Sequence, residues 1–185
     1  ECIVAQSVIW DEFQDDRVAA LSVIDAALRA MPAHAELLRQ KAKVYGHDGQ
    51  YEKARLILEI IRPAIDERSD IERMYAIKEQ AVATAASGDH ETTRNLFCEA
   101  AAAAEGVSGE VDSIHAHSLA LRAEAAICAW HAGDHETALR ELAPIVDSLA
   151  GIDPKTDQAS RMLHAKIRWL VGWLFETSGT PASEP

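Results

Sequence analysis

Aromatic side chains are scarce, at 5% of 185 residues, although hydrophobic residues make up 48%. A β-sandwich needs β-branched and aromatic residues, so this shortage disfavours one, and the abundant alanine favours closely packed helices. No alternating strand pattern and no Asn-Gly hairpin signal occurs. Positive charge is also thin, with 18 Lys and Arg against 30 Asp and Glu, a net charge of -12. An acidic chain repels phosphate backbones, which argues against a nucleic-acid partner; the same acidity also serves ordinary solubility. Cysteine is limited to Cys2, Cys98 and Cys128, far apart and without a Cys-x-x-Cys. Two of them sit in apolar helical stretches, which suggests buried thiols in a reducing, cytoplasmic setting. No apolar run approaches the ~18 residues that span a bilayer, so no membrane partner is expected. No basic segment precedes an apolar core near Glu1, so no signal peptide is expected, and the chain reads as a fragment of a longer polypeptide. Gly-x-Ser-x-Gly, the P-loop and Gly-x-Gly-x-x-Gly are all missing. The expectation is therefore a non-enzyme without catalytic residues, cofactor or metal.

What is present is a near-duplicated segment. Ala-Ser-Gly-Asp-His-Glu-Thr at Ala86–Thr92 returns as His-Ala-Gly-Asp-His-Glu-Thr at His131–Thr137, and a weaker copy, His-Asp-Gly-Gln-Tyr-Glu-Lys, occupies His47–Lys53. Gly49, Gly88 and Gly133 thus hold equivalent places in three helix-turn-helix units. In the two closer copies, glycine suits the left-handed residue that ends a helix, Asp89 and Asp134 suit the next cap, and Glu91 and Glu136 suit the first turn beside the helix dipole. Apolar residues recur at three- and four-residue steps. Val18, Leu21, Ile24 and Leu28 read as one stripe, Leu56, Ile57, Ile60 and Ile61 as another, and Leu119, Ala123, Ala126 and Trp130 as a third. Breaks are expected at Pro32, Gly46–Gly49, Pro63–Asp70, Ser87–Asp89, Gly106–Asp112, Ala132–Asp134 and Gly151–Pro154. A last helix is expected over 155–177, opened by Pro154 and capped at Asp153, with 180–185 as tail or linker.

Several residues match one pattern: Gly49, Tyr51, Ala54, Leu58 and Ile61; Ala20, Ile24, Ala27 and Pro32; Gly88, His90, Thr93, Phe97 and Ala100; and Gly133, His135, Ala138, Leu142 and Ile145. On these residues the chain resembles the tetratricopeptide repeat family, whose unit is ~34 residues of paired antiparallel helices. The glycine spacing of 39 and 45 residues is longer, and the first-helix Trp-Leu-Gly signature is absent; Ala42, Ala81 and Ala126 stand as the small residues. The resemblance implies an all-α, right-handed α-solenoid of about four units, near 1–34, 35–68, 74–107 and 119–152. A capping helix at 155–177 would follow, so that 1–179 form one domain. It also implies a concave groove, lined by first helices, that holds a peptide or partner helix.

In that phase Arg39, Lys43 and Lys78 face the groove, with Tyr45, Tyr75 and Trp130 as its aromatic anchors. The alternative for the cations is a solvated face with bridges such as Arg39–Glu36 or Lys78–Glu72. Glu79 and Glu124 stand where a carboxylate-binding member of the family needs polar or basic groups. His115 and His117, and His131 and His135, are close in sequence, but Gly133 breaks the helix between the second pair and no His-Glu-x-x-His exists. Trp169 and Trp173 lie one turn apart on the last helix, either as an interface, including a homodimer through that helix, or as a wide core face. The leading expectation is a protein-interaction module, a scaffold or adaptor for a protein or peptide. The alternative is a sensor or regulatory domain of a multidomain enzyme or signalling protein.

Overall fold

The computed structural model describes residues 2–107, 112–149 and 158–178, with side chains left out at 112, 113, 158–160 and 174–178. Among the described residues the protein is all-α, without a strand. Nine α-helices follow in order: α1 (Cys2–Val8), α2 (Arg17–Ala30), α3 (Ala35–His47), α4 (Tyr51–Asp66), α5 (Asp70–Ala85), α6 (His90–Glu105), α7 (Asp112–His131), α8 (His135–Leu149) and α9 (Gln158–Ser178); a π-helical turn, Ile9–Phe13, continues α1. Helices adjacent in sequence pack on each other from α1 to α8, and α9 packs on α7.

The helix ends follow from local chemistry. Gly49, Gly88 and Gly133 have φ of +73°, +81° and +86°, the left-handed region that glycine enters without a Cβ penalty. Asp16, Asp89 and Asp134 then accept backbone N–H bonds from Ala19, Thr92 and Thr137 at 2.9, 3.0 and 3.1 Å, satisfying donors that the first turn cannot. Ser69 caps α5 and also donates its hydroxyl to Glu72. A Cβ added at Gly133 would meet nothing within 4 Å. Gly133→Ala should therefore cost backbone strain alone, about 1–2 kcal/mol by urea unfolding; no loss would mean that the turn is free to change shape.

Four buried clusters succeed one another along the chain. The second is built on alanine: Ala100, Ala101, Ala103 and Ala104 of α6 meet Ala81 of α5 and Ala125 of α7. Small side chains let these backbones approach closely, which replaces the bulky aromatics that the composition lacks.

The structure corrects several sequence readings. Val18, Leu56 and Ile60 are exposed, at 80%, 47% and 73%. The buried faces are Ala20, Ile24 and Ala27 on α2, and Ala54, Leu58, Ile61 and Ile65 on α4. At ~100° per residue, Leu56 lies nearly opposite Leu58, so both cannot face one core. The break expected at Pro63–Asp70 falls inside that range, at Glu67–Ser69, with α4 running through Pro63 to Asp66. Pro63 is exposed, so the bond it removes leaves a carbonyl open to water. Helix α5 opens four residues before Met74, and α7 seven before Leu119. Pro154, Asp153 and the 180–185 tail lie outside the described residues, as does part of the Gly106–Asp112 loop. No described helix is long and apolar enough to cross a membrane.

Candidate interaction groove

Helices α3 and α5 flank an open channel whose floor they share with α4. Two cavities of about 420 Å³ each run along it and share Lys43 and Glu79. One is lined by Arg39, Arg68, Glu72 and Tyr75 above Ile65 and Ala76. The other is lined by His47, Tyr51, Lys78 and Val82 above Ala42, Ala54, Leu58 and Ala83. The helical repeat explains the grouping. Arg39 and Lys43 are one turn apart on α3, and Tyr75, Lys78, Glu79 and Val82 take i, i+3, i+4 and i+7 places on α5.

Most of the positive charge here is already neutralised. Arg39 donates through Nη1 to Glu79 Oε1 and through Nη2 to Glu36 Oε1, both at 2.8 Å. Arg68 reaches Glu72 at 3.1 Å and Glu36 at 3.4 Å. Lys43 bonds to Glu12 on the π-helical turn. Burial opposes the Arg39 cation, but its bonds to Glu36 and the nearby Glu79 outweigh that and bind its proton more firmly. Burial pushes the Glu79 carboxyl above the usual carboxylate value, with Arg39 and Lys43 pulling the other way, and its Oε2 has no hydrogen-bond partner. Lys78 is exposed and among the described residues makes no ion pair; Glu72 is engaged by Arg68 instead. The channel thus has an apolar floor with a locked Arg39–Glu79 clasp across it, and among the described residues Lys78 is its one cation without an ion pair.

Four of the six groove residues expected from sequence, Arg39, Lys43, Tyr75 and Lys78, line these two cavities. Tyr45 does not. Two residues beyond Lys43, it turns to the α3–α4 core, with the Lys41 and Lys53 ammonium groups 5.7 and 5.2 Å from its ring. Trp130 is also elsewhere, 9% exposed in the α7–α8–α9 core, stacked on His135 at 4.0 Å and edge-on to Trp173 at 6.0 Å. Trp173 packs against that core, while Trp169 is 66% exposed. Glu124 bonds to Lys166 of α9, tying the last helix to α7. His90 stacks on His131 at 5.5 Å, yet among the described residues no three metal-ligating side chains converge.

Sequence reading missed the Asp11–His47 pair, which ties the π-helical turn to the end of α3 beside the groove. Asp11, whose side chain is fully buried, accepts from or shares a proton with His47 Nδ1 at 2.7 Å. Two adjacent acidic residues, Asp11 and Glu12, between the apolar Ile9–Trp10 and Phe13 were the available signal; the partner of Asp11 lies 36 residues away on another helix. No family model matches the chain, and no curated protein or solved structure matches it either.

Proposed function

We propose that this chain is a protein-interaction module, a tetratricopeptide-like right-handed α-solenoid that acts as scaffold or adaptor. Its α3–α5 groove would take an extended peptide or a partner helix. The observation that carries this reading is the channel itself: an apolar floor, exposed Tyr75 and Val82 on one wall, and Lys78 without an ion pair among the described residues. Consecutive helix packing and the repeated Gly-Asp-His-Glu turns support the repeat architecture. Apolar burial against Val82 and Tyr75 would supply most of the affinity, and Lys78 would favour an acidic group on the ligand. Arg39 and Lys43 are held by their own carboxylates and shape the wall rather than supply free charge. A cytoplasmic setting follows from the same reading.

Site-specific photo-cross-linking in source cells tests this. A photoreactive residue at Val82, 48% exposed in the groove, is compared with one at Leu139, 52% exposed on α8. The expected result is a discrete adduct at Val82 that Lys78→Glu abolishes and that Leu139 does not form. The same adducts at both positions, or none at Val82, would sink the groove assignment.

A further inference from the structure

The two ends of the helix succession carry exposed apolar surfaces of opposite charge. On α9, Met162 and Trp169 are 64% and 66% exposed and lie seven residues apart, on one side of the helix. Arg161 and Arg168 repeat the same spacing beside them, both exposed, and among the described residues neither has an ion pair. From Arg161 to Trp173 the helix contains no Asp or Glu, in a chain whose net charge is -12. At the other end, Ile9, Phe13 and Val18 are 48%, 79% and 80% exposed. Glu12, Asp15 and Asp16 interleave with them; Arg17 bonds to Asp15 and Lys43 of α3 to Glu12, and among the described residues Asp16 has no ion pair. The π-helical turn packs on α1 and α2, and α9 packs on α7, so these faces belong to opposite ends.

We propose that copies of this chain associate head to tail, the Met162–Trp169 face of one copy docking on the Ile9–Val18 face of the next. Pairing α9 with α9 would bring Arg161 and Arg168 of two copies together, and like charges oppose that register. Pairing α9 with the acidic N-terminal face sets opposite charges around an apolar centre. Such a contact joins two different faces, so each bound copy leaves a free face for another, and the series does not close at a dimer. The contact is separate from the α3–α5 groove.

Sedimentation velocity on the purified chain tests it, at low salt and at about 1 M salt, where charge is screened beyond about 3 Å. The expected mean mass at hundreds of micromolar exceeds the 20.2 kDa monomer, grows past a dimer with concentration, and falls back in high salt. Trp169→Glu and Phe13→Glu should each weaken association at least about tenfold. Mixed together, these two variants should recover a one-to-one dimer, because each keeps the face that the other lacks. Arg161→Glu with Arg168→Glu, which leaves Trp169 stacked on Trp173 at 6.4 Å, should also prevent association; circular dichroism checks that every variant is folded. A 20.2 kDa species under all conditions overturns the proposal. So does a dimer that Phe13→Glu leaves intact, or a mixture of the two variants that stays monomeric.

Discussion

Replacing Ile77 by alanine should cost about 2–5 kcal/mol of folding free energy, because it removes a branched side chain from a site that cannot collapse freely. Ile77 is fully buried on α5 in a cluster with Met74, Phe97, Ala100 and Leu121. Its alanine neighbours have no rotamers with which to fill the space, so a cavity would remain between α5 and α6. Ile60→Ala is the matched control. Ile60 is 73% exposed, and its loss should change stability by less than about 0.5 kcal/mol. Urea unfolding of the two variants measures the contrast. Equal and small effects would mean that α5 is not seated on α6 as described.

Arg39→Ala should be the most damaging change in the groove. It strips the principal cation from Glu79, and breaking a buried pair costs about 3–5 kcal/mol; a quarter of each side chain is exposed here, which places the effect toward the lower bound. Adding Glu79→Gln should restore most of the loss, since the stranded charge, rather than the lost bond, dominates the cost. The dependence on pH has a defined sign. The Glu79 carboxyl is raised in the folded protein, so its contribution favours the native state below the unfolded pKa and is lost as pH rises through the folded value. Ionised Glu79 therefore opposes folding at neutral pH, and Arg39 offsets it. The gap between Arg39→Ala and the native chain should narrow as pH falls through the carboxylate range. Other carboxylates, including Asp89 and Asp134, are lowered by their bonds at the helix caps and weaken both proteins on acidification, so they cancel in the difference; Arg39 also holds Glu36, and the Arg39→Ala, Glu79→Gln double variant separates the Glu79 share. A gap that stays constant from pH 7 to pH 4 would separate Glu79 from the effect.

These two residues also show where sequence reading succeeds and where it stops. The Arg39–Glu36 bridge was legible because it spans less than one turn of one helix. The bond from Arg39 to Glu79 crosses forty residues, and spacing within either helix carries no trace of it. The same holds for Lys43 with Glu12 and His47 with Asp11: each cation or imidazole is anchored by an N-terminal carboxylate that a helical periodicity cannot locate. Tyr45 illustrates the reverse error. Its aromatic character suggested an anchor, but its place two residues after Lys43 turns it to the opposite side of α3, and helical phase overrides residue type.

By itself, the sequence determined the helical class and most of the places where helices stop; the break at Gln14–Asp16, which has neither glycine nor proline, was not among them. Gly49, Gly88 and Gly133 enter the left-handed region, and the aspartates following the latter two cap the next helix through bonds that span three residues. Such interactions are local, so they are written in consecutive residues. Only the tertiary structure decided which of several apolar rows on each helix is buried, leaving Ile60 and Trp169 in solvent and taking Trp130 inside. It also decided that the groove's cations are mostly held by their own chain. Both outcomes depend on how separate helices meet, and burial and charge pairing are properties of that meeting rather than of any one segment.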